Sequence, residues 1–67
     1  MKIEVEEVLI SMGKRRIHIS TNDVFSTTLN KNQLINFRKD IQGTINHMGG
    51  KELEKRIDNH IENFINS

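Results

Sequence analysis

The 67-residue sequence predicts an α+β fold: a small antiparallel β-hairpin or three-stranded sheet followed by an αα-hairpin, in the order ββ(β)αα. Two observations predict it. In the segment 1–29, β-branched and polar side chains alternate, as in half-buried strands. From position 30 onward, apolar side chains recur every three or four positions, as in amphipathic helices. We expect a single domain spanning 1–67, with the sheet in 1–29 and the helical hairpin in 30–67.

The first predicted strand covers residues 2–12 and changes phase within its length. Ile3 and Val5 share one alternation, whereas Val8 and Ile10 follow the other. A phase change of this kind indicates a β-bulge, which we place at Glu6-Glu7.

Gly13-Lys14 predicts a tight turn after this strand. A two-residue turn of type II′ requires glycine at its first position, and Gly13 stands there. Cross-strand partners share a face of the sheet, so the turn also predicts the register. The expected pairs are Met12 with Arg15, Ile10 with Ile17, and Val8 with Ile19.

Asn22-Asp23 indicates a second turn, leading into a third strand. With two residues in this turn, Val24 would join the face of Ile17 and Ile19. Phe25 would then join Leu9 and His18 on the opposite face, where we expect a subunit interface. The alternative is that residues 15–29 form one long bent strand without a turn.

The start of the first helix is marked by Asn30 as N-cap, with Gln33 completing a capping box. We expect this helix over about 31–48, ended by the left-handed cap of Gly49-Gly50, and a second helix over about 51–65. Gly43, inside the first helix, predicts a close helix–helix approach. The apolar stripes predicted to face the core are Leu34, Phe37, Ile41, Ile45 and Met48, then Leu53, Ile57, Ile61, Phe64 and Ile65.

The size and composition of the chain predict self-association. A chain of 67 residues without cysteine buries a small core and has no disulfide to stabilise it. We therefore expect a homo-oligomer, a dimer or higher. The longest apolar run, Val8-Leu9-Ile10, is far shorter than the roughly 20 residues of a membrane span. No secretory signal pattern is present, so a cytoplasmic location is expected, without a membrane partner.

The basic turn Lys14, Arg15 and Arg16 is the clearest candidate binding site. Three cations beside a glycine at a hairpin tip are suited to an anion such as a phosphate. The alternative is a solvated turn whose charges discourage edge-to-edge pairing of sheets.

Catalytic and metal-binding patterns are weak. The chain has no cysteine, and none of its serines lies in a Gly-x-Ser-x-Gly elbow. His18, His47 and His60 lack the local spacing of zinc ligands. We therefore predict that the protein is not an enzyme and has no catalytic residues, metal or cofactor.

The sequence is best interpreted as a small non-catalytic oligomeric binding or regulatory protein. Its abundant Ile, Asn and Lys without Ala are typical of AT-rich genomes, so an inhibitor from a phage or mobile element is one hypothesis. It would act by blocking a partner protein or by sequestering a nucleotide-like anion. The alternative is a small DNA- or RNA-binding regulator, although acids are interleaved with the bases of the second helix. The residues considered for that role are Lys51, Lys55, Arg56, Asn59 and Asn63, with Lys31, Arg38 and Lys39 on the first helix.

Overall fold

The computed structural model describes residues 7–67 and shows a three-stranded antiparallel sheet followed by helices. The predicted α+β class is therefore confirmed. Ile3, Val5 and the Glu6 half of the predicted bulge lie outside the described residues. The elements are β1 (Val8–Met12), β2 (Arg15–Ile19), β3 (Phe25–Thr27), α1 (Lys31–Asp40), α2 (Gln42–Met48) and α3 (Gly50–Asn66).

The first hairpin has the predicted turn and register. Gly13 has φ 65°, a left-handed value that glycine adopts without steric cost. Strands β1 and β2 pair as the two-residue turn requires, so all three expected pairs are confirmed. The agreement follows because a short turn leaves the register no freedom.

The second turn is longer than predicted. Ile19 pairs with Phe25, so the loop 20–24 connects β2 to β3. Ser20 closes this loop: its N–H donates to the Val24 carbonyl at 2.9 Å, and its hydroxyl accepts from the Val24 N–H at 3.2 Å. Three strands are confirmed against the single bent strand. The predicted position of Phe25, on the face of Leu9, is wrong, because the longer loop shifts the alternation by one position.

The N-terminus of α1 is the predicted capping box. The Gln33 N–H donates to the Asn30 side-chain oxygen at 2.8 Å, and the Asn30 N–H donates to the Gln33 side chain at 3.0 Å. These reciprocal bonds satisfy backbone donors that have no partner within the helix.

The predicted first helix is interrupted at Ile41, which separates α1 from α2. Ile41 has φ −98° and ψ 12°, although its N–H still donates to the Phe37 carbonyl at 3.0 Å. Gly43 and Thr44, just beyond the break, favour the helix weakly. The close approach predicted at Gly43 is wrong, since a Cβ placed there would meet no atom of another helix or of the sheet within 4 Å.

Gly50 provides the predicted left-handed residue after α2, with φ 66°. Helix α3 begins at this residue, so the chain turns from one helix into the next without a separate loop. Met48, predicted to face the core, is 47% exposed because it lies at the last position of α2, beyond the bend.

One face of the sheet is covered by the helices. The largest side chains of the core, headed by Phe37, are fully buried between β2 and the three helices. Among residues 7–67, no helix is both long and apolar enough to cross a membrane. The buried core consists of Val8, Ile10, Ile17, Ile19, Leu29, Leu34, Phe37, Ile41, Ile45, Ile57 and Ile61, with Phe25, Leu53, Phe64 and Ile65 packed against it.

Candidate functional site

The face of the sheet opposite the helices forms the main candidate site, here called the outer sheet face. Leu9, His18 and Ser26 lie side by side across β1, β2 and β3, since the register pairs Leu9 with His18 and His18 with Ser26. Leu9 is 55% exposed, and none of the helices α1–α3 among residues 7–67 covers this row. The outer sheet face is shallow and concave, with a volume of about 380 Å³, and is lined by Leu9, Arg16, His18, Ser26, Thr27 and Thr28.

Charges of both signs lie on this face. Glu7, just before β1, has its Oε2 2.6 Å from Nε2 of His18. An ionised carboxylate only accepts hydrogen bonds, so His18 is the donor in this contact. The Arg16 side chain lies two positions away along β2 from His18, on the other side of the central row. An acid therefore stands at one end of the outer sheet face and a base at the other.

The predicted anion site is divided between the two faces of the sheet. Arg15 and Arg16 are consecutive strand residues, so their side chains point in opposite directions. The guanidinium of Arg15 donates to Oδ2 of Asp40 at 2.8 Å and lies 5.2 Å from the centre of the Phe37 ring. Lys14 is exposed in the turn. Of the three predicted residues, Arg16 alone lines the concavity of the outer sheet face.

The predicted interface trio is likewise only partly brought together. Leu9 and His18 are neighbours on the outer sheet face. Phe25 is on the inner face, stacked on the His60 ring at a centroid distance of 5.7 Å and in edge contact with Phe64 at 6.1 Å. Phe25 lies on the inner face and not on the predicted outer face because the longer loop turns its side chain toward α3.

A polar cluster that sequence reasoning missed attaches the 20–24 loop to α3. Oδ1 of Asp23 accepts hydrogen bonds from His60 Nε2 and Arg56 Nε, both at 3.1 Å. The bond from His60, together with that from Arg56, holds the pKa of Asp23 below its usual value. Asp23 has φ 65°, which Asp tolerates better than most residues. The only signal in the sequence was an Asn-Asp turn, which carries no information about a distant helix.

A second missed cluster joins α1 to α3 through Arg38. Its Nε and Nη2 donate to the two carboxylate oxygens of Asp58 at 2.5 and 3.1 Å, and Nη2 also donates to Glu54 at 2.9 Å. The hydrogen bond with Asp58 is the main cause that raises the pKa of Arg38, with Glu54 adding to it against partial burial. Arg38 therefore stabilises helix packing and is not a free cation for a ligand.

The part of the chain that the structure describes contains no group of three or more His, Asp or Glu side chains positioned to hold a metal ion. It also contains no buried side-chain nitrogen or oxygen without a hydrogen-bond partner. The polar groups available to a ligand are thus those at the surface.

Comparison with protein-family models, curated proteins and solved structures finds no match for this chain. The proposals below accordingly rest on the geometry of the described residues alone.

Proposed function

We propose that this chain is a small non-catalytic regulatory protein of the cytoplasm that self-associates and acts by contact, as a regulator or inhibitor of a partner protein. The observation that carries the proposal is that the described helices leave the outer sheet face exposed. The helices bury one face of the sheet, whereas Leu9 on the edge strand β1 remains 55% exposed on the other face. A mixed apolar and polar patch of this kind is typical of protein–protein contacts.

The distribution of charge on the outer sheet face favours a second copy of the chain as its first occupant. Glu7 lies at one end of the face and Arg16 at the other, with Leu9 and His18 between them. A two-fold axis along the central row would place the acidic end of one copy over the basic end of the other. Such self-complementarity is what an isologous dimer requires.

Substitution of the exposed leucine tests this proposal. Leu9→Asp places a charge on the outer sheet face, at edge strand β1, without changing a core residue. Ile35→Asp is the matched control, because Ile35 is 41% exposed on α1 and receives the same charge. We expect sedimentation velocity to show a concentration-dependent dimer for the unmodified protein and for Ile35→Asp, and monomers for Leu9→Asp. A monomeric unmodified protein, or equal effects of both variants, would contradict the proposal.

A second candidate function is the sequestration of a nucleotide-like anion on the same face. The observation that favours it is the concavity itself, which Arg16, His18, Ser26 and Thr28 all line. Its volume of about 380 Å³ is within the range of small-ligand sites. Guanidinium and hydroxyl groups are common phosphate ligands.

Native mass spectrometry of the protein as purified from cells separates the two candidates. Sequestration predicts an additional mass of nucleotide size that is lost in Arg16→Gln and retained in Arg15→Gln, since Arg15 is bound to Asp40 on the inner face. A clean mass with no bound ligand would instead favour action by protein contact.

A further inference from the structure

We propose that the exposed face of α1 binds duplex DNA in the major groove. This inference goes beyond the contact function of the outer sheet face and uses none of its residues. The residues of this surface, called the α1 outer face, are Lys31, Asn32, Ile35, Asn36 and Lys39.

The α1 outer face is a continuous surface because its members recur at the helical spacing. Positions 31, 35 and 39 are one turn apart, and positions 32 and 36 lie beside them. All five residues are exposed, whereas Leu34 and Phe37 on the opposite side of the helix are fully buried. The core therefore orients this face toward solvent.

The charge of this surface is positive and uncompensated within the described residues. Lys31 and Lys39 take part in none of the ion pairs of residues 7–67. Asp40, the one acid of α1, is engaged by Arg15 at 2.8 Å. The same contact places the tip of the β1–β2 hairpin, with exposed Lys14, near the C-terminal end of α1.

Lys31 lies at a position where a positive charge does not stabilise the helix. It is the first residue of α1, and the first turn of the helix contains no acid. A cation at a helix N-terminus opposes the helix dipole and is unfavourable for the helix. A ligand with negative charge would convert this cost into binding, because the lysine and the helix N-terminus attract it together.

The spacing of the two lysines matches the DNA major groove. Lys39 lies eight positions after Lys31, which corresponds to about 12 Å along the helix axis. The major groove of B-DNA is also about 12 Å wide. A helix whose axis crosses the groove from one strand to the other would thus bring one lysine toward each phosphate backbone.

The side chains between the lysines are suited to contact base edges. Asn32 and Asn36 are one turn apart, and an asparagine amide can pair with N6 and N7 of adenine. Ile35 lies between them along the helix and is 41% exposed. An aliphatic side chain at this place can contact a thymine methyl group.

Helix α3 is a poorer match for nucleic acid than α1, although the two helices have the same number of Lys and Arg residues. Glu52 and Arg56 lie on either side of Lys55 around one shallow depression, and Arg56 is already bonded to Asp23. Carboxylates on the same surface repel phosphates. The lysines of α3, Lys51 and Lys55, therefore provide a control with the same number of charges.

The test measures binding of a fluorescently labelled mixed-sequence DNA duplex by anisotropy, at salt concentrations between about 50 and 200 mM. Each phosphate contact contributes about 0.9 to the slope of log K against log salt. We expect the double variant Lys31→Gln/Lys39→Gln to lower that slope by about 2 and, if affinities converge at 1 M salt, to weaken binding about 60-fold at 0.1 M. Lys51→Gln/Lys55→Gln should leave the slope unchanged.

Several outcomes would overturn the proposal. They are the absence of duplex binding at low salt, equal loss of slope in both double variants, or tighter binding of single-stranded DNA or duplex RNA. Circular dichroism confirms that each variant is folded. Selection from a randomised duplex library then tests base contact: the unmodified protein should enrich a motif, and Asn32→Ala/Asn36→Ala should not. Failure of the Leu9→Asp dimer test leaves these readouts unaffected, so the two proposals are refuted separately.

Discussion

The glycines around α2 provide a sharp stability test of the fold, because the structure predicts opposite effects for the same substitution. Gly50 has φ 66°, a left-handed conformation. An L-residue with a Cβ pays about 1 kcal/mol or more to adopt it. Gly43 is a helical residue with open space around it. Alanine is favoured over glycine at such a position by about 1 kcal/mol. Gly50→Ala should therefore lower the free energy of unfolding by about 1 kcal/mol, and Gly43→Ala should raise it by a similar amount.

Urea unfolding followed by circular dichroism measures both effects, and a change of about 1 kcal/mol corresponds to about 4–8 °C in the melting temperature of a domain this size. Gly49→Ala is a third test of the same region. A Cβ at position 49 would lie only 2.8 Å from the Cβ of Leu53 and would force a local shift. Unchanged stability in Gly50→Ala, or a loss in Gly43→Ala, would refute the described path from α2 to α3.

The polar clusters and the inner face yield three further predictions. The Arg38 side chain is only 16% exposed. Arg38→Met should destabilise the fold by about 1 kcal/mol or more, because it removes charge-assisted hydrogen bonds, and Lys39→Met should change little. The pKa of Asp23 is lowered on folding from 3.8, so its contribution is present above that value and is lost as the pH falls below it. Urea midpoints of Asp23→Asn should accordingly fall less on acidification from neutral pH than those of the unmodified protein. Phe25→Asp should destabilise the fold, seen as a lower urea midpoint, because it removes the ring contacts with His60 and Phe64 and places a carboxylate against the Phe64 ring; unchanged stability would contradict the inner-face position.

Local signals in the sequence predicted the parts of the fold that are fixed by local chemistry. The capping box at Asn30 and the turn at Gly13 each involve residues close in sequence, so one helix start and one strand register were correct. A left-handed cap was also predicted at Gly49-Gly50, and the structure places it at Gly50.

Errors arose where distant contacts decide the outcome. Asp23 attaches the 20–24 loop to α3 through its hydrogen bond with His60. Nothing near Asn22-Asp23 in the sequence indicates that His60 is the partner of Asp23. The break at Ile41 lies within an unbroken apolar stripe, so periodicity alone predicts one helix there.

The candidate site was predictable only in part, for the same reason. Alternation along β2 places Arg15 and Arg16 on opposite faces, and this was available from the sequence once the strand was assigned. The pairing of Arg15 with Asp40, which are far apart in sequence, was not. Asp40 is the one acid of α1, and only the structure shows that Arg15 neutralises it. The net positive charge of the α1 outer face could therefore not be predicted from the sequence.

The most direct test of the central claim, that the outer sheet face is the contact surface, is a concentration series of amide NMR spectra from low micromolar to millimolar protein. Self-association through this face predicts progressive shifts at Leu9, His18 and Ser26, with those of Ile35 and Asn36 on α1 unchanged. Shifts confined to α1, or no shifts across the series, would contradict the account.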